Sequence, residues 1–271
     1  MPFIEMNNVR YHYELAGRGA PLLLLHGFTG SGANWQAHTP VLAAQFQVMG
    51  VDLMGHGQTD APEDLNRYSM EHTAHDLIKL CDAVFTQPIH LLGYSMGGRL
   101  ALYLALHYPQ HVRSLILEST SPGLADAGAR QARMQQDEQL ANRIEHDGIE
   151  AFVDYWERIP LFASQRNLPD AIRQRLREQR LQNSPRGLAN SLRGMGTGVQ
   201  PPLWGQLPNL GMPTLLMAGE LDTKFVEIAR QMQAAIPSVQ LALVPSAGHT
   251  IHLEAPDVYQ HLLLQFLTGI A

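Results

Sequence analysis

The sequence is poor in cysteine, lysine and aromatic residues. One cysteine, Cys81, stands in 271 residues. That excludes an intrachain disulfide and suits a reducing compartment. Cys81 falls within a helical pattern, so it reads as a buried structural thiol. No charged leader followed by an apolar core opens the chain, and no apolar run approaches the roughly 20 residues that span a bilayer. The chain is read as cytoplasmic, with no membrane partner. A net charge of −6 leaves no basic surplus for nucleic acid. Neither a P-loop nor G-x-G-x-x-G occurs, and Asp52, His56, His26 and His72 form no E-x-x-H pair. No metal and no cofactor are therefore expected. Oligomeric state leaves no mark on the sequence.

What is present is organised around Gly93-Tyr94-Ser95-Met96-Gly97-Gly98-Arg99. The short run Ile89-His90-Leu91-Leu92 before it reads as a buried strand. Leu100 to Leu106 after it reads as a helix. Strand, G-x-S-x-G, helix is the nucleophile-elbow arrangement. Gly93 and Gly97 give the tight turn clearance, and Gly98 lets the helix sit close to the sheet. The serine hydroxyl then stands at a helix N-terminus, where backbone N–H groups favour developing negative charge. Pro21 to Leu25 is another buried strand, running into His26-Gly27-Phe28-Thr29-Gly30. In that loop the N–H of Phe28 is a candidate oxyanion donor beside the N–H of Met96. His26 is expected to brace the loop, and Asp52 and His56 to form a structural hydrogen-bonded turn.

In chain order, residues 3–15 read as a hairpin, 35–45 as a helix, 47–51 as a strand and 69–84 as an amphipathic helix capped by Ser69. Residues 112–117 read as a further strand. From Leu124 to about Gln200 the buried-strand signal stops, and helical patterns follow one another, broken by Gly148, Pro160, Pro169 and Pro185. This stretch holds 11 of the 17 arginines and neither lysine, with net charge +1 against −7 for the remainder. Strands resume at 214–218 and 239–244, with helices at 226–235 and 257–267. The fold class is α/β: a mostly parallel central sheet with helices on both faces and an inserted helical cap. Residues 1–123 and 206–271 form the body and 124–205 the cap. Most cap arginines are expected to make ion pairs on exposed helix faces.

A serine nucleophile needs a base, and the base needs an orienting carboxylate. In a sheet of this kind the order is serine, acid, histidine, each at a strand's C-terminal end. Asp222, after the strand at 214–218, and His249, preceded by Gly248, hold those positions among 13 histidines. Glu220 is the rival acid.

The succession H-G-F, D-x-x-G-H-G, G-Y-S-M-G-G-R, G-E-x-D, A-G-H resembles the α/β-hydrolase superfamily along the whole chain. Met54 departs from it, standing where proline is usual in D-x-P-G-H-G. Ser121-Pro122-Gly123-Leu124, Tyr155-Trp156, Pro160 to Ser164 and Gly219 to Phe225 narrow the match. With the elbow, they look like the 2-succinyl-6-hydroxy-2,4-cyclohexadiene-1-carboxylate synthases of menaquinone biosynthesis. The resemblance implies a lyase. Its triad would remove a proton and trigger 2,5-elimination of pyruvate from a small polyanionic substrate, with Tyr94, Arg99, Arg133, Trp156 and Arg180 in contact with that substrate. Arginine suits such a ligand because its planar fork binds carboxylates bidentately. Two alternatives use the same fold: a carboxylesterase or C–C bond hydrolase, and a non-catalytic ligand-binding protein.

Overall fold

Eight strands form one sheet in the computed structural model, which describes residues 2–270. β1 (Phe3–Met6) and β2 (Val9–Ala16) pair antiparallel through Asn7-Asn8, both with positive φ, a conformation asparagine tolerates. The remaining strands are β3 (Ala20–Leu25), β4 (Phe46–Val51), β5 (Ile89–Tyr94), β6 (Val112–Glu118), β7 (Thr214–Gly219) and β8 (Val239–Val244). Their order across the sheet is β1-β2-β4-β3-β5-β6-β7-β8, parallel from β4 onward. All parallel strands therefore end at one edge, where α/β sheets bind ligands.

The apolar runs are continuous because both faces are covered. On β3, Leu23 and Leu25 face one core, and Leu22 and Leu24 face the other. The first core takes in α2 (Met70–Val84) and α3 (Met96–His107); the second takes in Trp35 and α9 (Pro256–Thr268). Residues Tyr259, Leu263, Phe266 and Leu267 of α9 recur at helical spacing and are buried. Each fully buried leucine contributes roughly 1.5–3 kcal/mol. Cys81 is buried, and burial pushes its thiol up to about 12, so it is inert.

Ser69 caps α2, its hydroxyl accepting the N–H of His72 at 3.2 Å. The helix expected at 35–45 does not form. A 3-10 turn at Gly32–Trp35 precedes a single turn, α1 (Thr39–Leu42). Pro40 lacks an N–H and would collide with the carbonyl four residues back, so the helix starts afresh beside it. Between β6 and β7 lie α4 (Ala127–Trp156), a 3-10 segment (Pro160–Asn167), α5 (Asp170–Leu181) and α6 (Pro185–Met195). Gly148 interrupts α4 with φ 82° and ψ 174°. This insertion has its own small core, in which Ala141, Ile144, Phe152 and Val153 meet Leu188, Ala189 and Leu192. α7 (Thr223–Ala235) follows β7, and a short α8 (Ile251–Glu254), which the sequence pattern did not announce, precedes α9. Among the described residues no helix is long and apolar enough to cross a membrane.

Four buried histidines bear on stability. Burial pulls His26, His38 and His90 down to about 4 and His56 to about 3. In the unfolded chain they titrate near the ordinary value of about 6.5. Between pH 6.5 and 4 the unfolded state therefore binds more protons, and stability falls as pH drops through that window. Each histidine is expected to contribute on the order of 1 kcal/mol per pH unit there. Urea unfolding at pH 7 and pH 5 should show a clearly lower midpoint at pH 5. Equal midpoints would contradict neutral burial of these rings.

Candidate active site

Ser95 leaves β5 with φ 50° and ψ −106°, a strained conformation for a residue with a side chain. Three hydrogen bonds hold it there. Its N–H donates to the carbonyl of Glu118 at 2.9 Å, and its own carbonyl accepts from Arg99 N–H at 3.0 Å and Thr120 Oγ1 at 2.9 Å. The glycines around it are sterically required. A Cβ on Gly93 would lie 2.4 Å from the carbonyl oxygen of Gly97, and one on Gly97 would lie 2.4 Å from that of Leu25.

His249 sits in the loop after β8, 1% exposed, and its Nε2 lies 3.0 Å from Ser95 Oγ. Its Nδ1 lies 2.7 Å from Asp222 Oδ2. A carboxylate can only accept, so the proton is on Nδ1 and Nε2 is free to accept from the serine hydroxyl. Asp222 also caps α7 through Phe225 N–H. Phe225, Tyr94 and Phe162 pack around the imidazole, with centroids at 4.7, 5.5 and 6.0 Å. Glu220, the rival acid, is exposed.

The loop after β3 is set by His26. Leu53 N–H donates to its Nε2 at 2.9 Å, which leaves the Nδ1 proton to donate to the carbonyl of Gly27 at 2.8 Å. The N–H groups of Phe28 and Met96 take no partner among the described residues. Asp52 accepts from the N–H groups of Gly32 and Gln58 and pairs with His12, a structural role. Met54 is buried, and its turn is closed by His56 N–H donating to Leu53 O.

A cavity of about 570 Å³ opens over Ser95. Phe28, Tyr94, Met96, Arg99, Arg133, Trp156 and His249 line it, so eight of the ten singled-out residues meet in one place. Asp222 stands behind His249. Arg180 is not on the cavity wall. It lies in a neighbouring cleft, 4% exposed, bonded to Glu157 and to Gln165, with its guanidinium over the Phe162 ring. The sequence placed it only through a resemblance, and the neighbouring arginines of α5 carry no signal for which one faces inward.

Arg99 is buried and bonded to Met195 O at 2.7 Å and Gln200 Oε1 at 2.9 Å. Burial, and then the Arg133 charge, pull its guanidinium down to about 10. Arg133 is held by Asp137 at 2.8 Å. Lys224 also lines the cavity, and none of the described lining residues is Asp or Glu. Lys224 was legible but passed over. It sits in the first turn of α7, where a cation opposes the helix dipole, so something other than helix stability has to account for it. Other arginines between β6 and β7 are ion-paired: Arg177 with Asp154 and Glu157, Arg193 with Glu138 and Glu145, and Arg173 with Asp170.

A buried Glu118–His252 pair lies beneath the site. Both residues are inaccessible, with His252 Nδ1 2.9 Å from Glu118 Oε1. Sequence reasoning missed it, because two residues 134 positions apart in a chain of 13 histidines show no spacing.

The chain belongs to the alpha/beta hydrolase fold family, whose model matches residues 20–256. A protein of Bacillus subtilis (strain 168), provisionally named 2-succinyl-6-hydroxy-2,4-cyclohexadiene-1-carboxylate synthase, is 45% identical over 266 residues, which are 97% of each chain. The protein of that name from Serratia proteamaculans (strain 568) is 32% identical over 252 residues, covering 92% of this chain and 93% of its own. The solved structure of MenH from S. aureus superposes with a TM-score of 0.92 at 38% identity, covering 96% of this chain and 98% of that one.

The elbow spacing can be tested directly. Gly97→Ala places a methyl 2.4 Å from Leu25 O and 2.5 Å from His26 O, both backbone atoms that cannot swing away. It should destabilise the chain by about 1–3 kcal/mol in urea unfolding. An unchanged midpoint would show that strand and helix are not in forced contact.

Proposed function

We propose that this chain is a carbon–oxygen lyase. It eliminates pyruvate from 2-succinyl-5-enolpyruvyl-6-hydroxy-3-cyclohexene-1-carboxylate to give 2-succinyl-6-hydroxy-2,4-cyclohexadiene-1-carboxylate, a step of menaquinone biosynthesis in the cytoplasm. Residues 124–205 act as a cap over a body formed by 1–123 and 206–271. The observation that carries the reading is the charge of the cavity. Arg99, Arg133 and Lys224 line it with no lining carboxylate among the described residues, and the substrate bears three carboxylates. A desolvated guanidinium binds such a group by charge-assisted hydrogen bonds.

Ser95 and His249 serve as the base. Ser95 Oγ takes the proton from ring carbon 2 as its own proton passes to His249 Nε2, and Asp222 stabilises the imidazolium that forms. The C–H electron pair becomes the 2,3 double bond. The 3,4 double bond moves to 4,5, and the C5–oxygen bond breaks with its electrons on the leaving enolpyruvate. That group takes up a proton and becomes pyruvate. Charge that builds on the succinyl carbonyl during proton removal is met by the N–H groups of Phe28 and Met96. Tyr94 and Trp156 wall the ring. The same triad would acylate on an ester, so what selects elimination is an acidic C–H, rather than a carbonyl carbon, held at Ser95. Arg180 stays outside the substrate contacts in this reading.

Supplied with the precursor, the wild type should release pyruvate as the cyclohexadiene chromophore grows, and Ser95→Ala should release none. Arg99→Met should raise KM roughly 10- to 100-fold through loss of a charge-assisted bond, with a smaller effect on kcat. Fast turnover of short p-nitrophenyl esters, with no pyruvate from the precursor, would favour the hydrolase instead.

A further inference from the structure

His249 is carried by residues 245–250, the loop between β8 and α8. The first half of that loop lies hard against the end of β7. A Cβ on Gly219 would come within 2.2 Å of Gly248 O and 2.3 Å of Ala247 O. Leu221 N–H, next to Asp222, donates to Ala247 O at 2.9 Å. The second half is held differently. The N–H groups on either side of His249 both donate to one carboxylate. Gly248 N–H reaches Glu254 Oε2 at 2.7 Å, and Thr250 N–H reaches Glu254 Oε1 at 3.1 Å.

That carboxylate does not serve its own helix. In α8 the N–H of His252 goes to Glu118 and that of Leu253 to Thr250 O. Glu254 is half-buried and does not line the cavity. Among the described residues its oxygens meet the two loop N–H groups and no cation. The His249 ring itself faces Asp222, Ser95 and Tyr94, flanked by the uncharged rings of Phe225 and Phe162. The Glu118–His252 pair lies behind Tyr94, and Arg99, Arg133 and Lys224 line the same cavity as His249. Those three cations oppose an imidazolium, and a carboxylate without a cation of its own offsets them.

We propose that Glu254 is a positioning residue for the base. Its carboxylate fixes the backbone on both sides of His249, so that the ring meets Asp222 and Ser95 at once. Its charge joins that of Asp222 in favouring the imidazolium. The proposal rests on the reading of Ser95 and His249 as the reacting pair, but not on the identity of the substrate.

The test follows labelling of Ser95 by a fluorophosphonate as a function of pH. This reagent reports an activated serine whatever the natural substrate. Labelling needs neutral His249, so its rate climbs to a plateau as the imidazolium loses its proton. Glu254→Gln keeps the shape but removes the charge and one of the two acceptors. It should slow the plateau about tenfold, the cost of one hydrogen bond. Loss of a negative neighbour makes the imidazolium harder to form, so the midpoint should move down by roughly half a pH unit. Glu254→Asp keeps the charge but is one methylene too short to span both N–H groups. It should slow the plateau by a similar factor and leave the midpoint in place. With the precursor, kcat should fall in step while KM stays within about twofold, because Glu254 is off the cavity wall.

A wild-type midpoint in Glu254→Gln overturns the proposal, however slow the plateau, because a purely structural carboxylate would not move the base. A wild-type plateau in Glu254→Asp overturns it too, and decides the matter should Glu254→Gln not fold. So does a wild-type Ser95 that the reagent does not label. The shifted midpoint, with no pyruvate release even from wild type, leaves the role of Glu254 standing and removes the lyase reading.

Discussion

The site depends on one strained residue and on what holds it. Ser95 sits at φ 50°, a conformation that costs of order 1–3 kcal/mol for a residue with a side chain. It is held there because β5 and β6 run parallel with Tyr94 opposite Glu118, which brings the Glu118 carbonyl to the Ser95 N–H. The same residue acts a second time through its carboxylate. Glu118 Oε1 accepts the backbone N–H of His252 at 3.1 Å and pairs with its ring. His252 lies three positions past His249 and stacks edge-on against Tyr94 at 4.8 Å. One buried glutamate therefore anchors the serine turn through its backbone and the histidine segment through its side chain. The separation of Ser95 and His249 is thus tied to one residue that both segments share.

The electrostatics follow from where the cations stand. Arg99 lies in the first turn of α3, buried, and beside a second guanidinium. Burial and like charge both disfavour its charged form, and two neutral acceptors, Met195 O and Gln200 Oε1, compensate only in part. A bound carboxylate would relieve both penalties at once. In the proposed reading such a site is organised for an anion before the anion arrives, and preorganised polarity of that kind is where an enzyme gains most over water.

Much of this was legible in the residues. The continuous apolar run at 21–25 announced a strand covered on both faces, the short run at 89–92 announced another buried strand, and the glycines at 93, 97 and 98 announced a turn with no room for a side chain. Asp222 and His249 were legible because each follows a strand end in the required order. What was illegible is what depends on distance through space. Glu118 and His252 meet across 134 residues, and Gln165 and Thr250 across 85, with no local pattern to mark either pair. The helix expected at 35–45 failed for a local reason, because the stereochemistry of Pro40 breaks it.

The arginine-rich insertion is the instructive case. The sequence reads its arginines as mostly ion-paired on helix faces, and six of the 11 do pair with acids of the same insertion: Arg133, Arg143, Arg173, Arg177, Arg180 and Arg193. Of the cations that line the cavity, Arg133 stands in the insertion, whereas Arg99 follows β5 and Lys224 follows β7. Arg180, in the same insertion, is spent on geometry, bonded to Glu157 and Gln165 behind the Phe162 ring. Counting charges along a chain cannot separate these uses, because an ion pair across two helices and an open guanidinium have the same letters. The separation comes from burial and partners: Arg180 is committed to Glu157 and Gln165, Arg99 is held only by the neutral acceptors Met195 O and Gln200 Oε1, and Arg133, though paired with Asp137, still reaches the cavity wall.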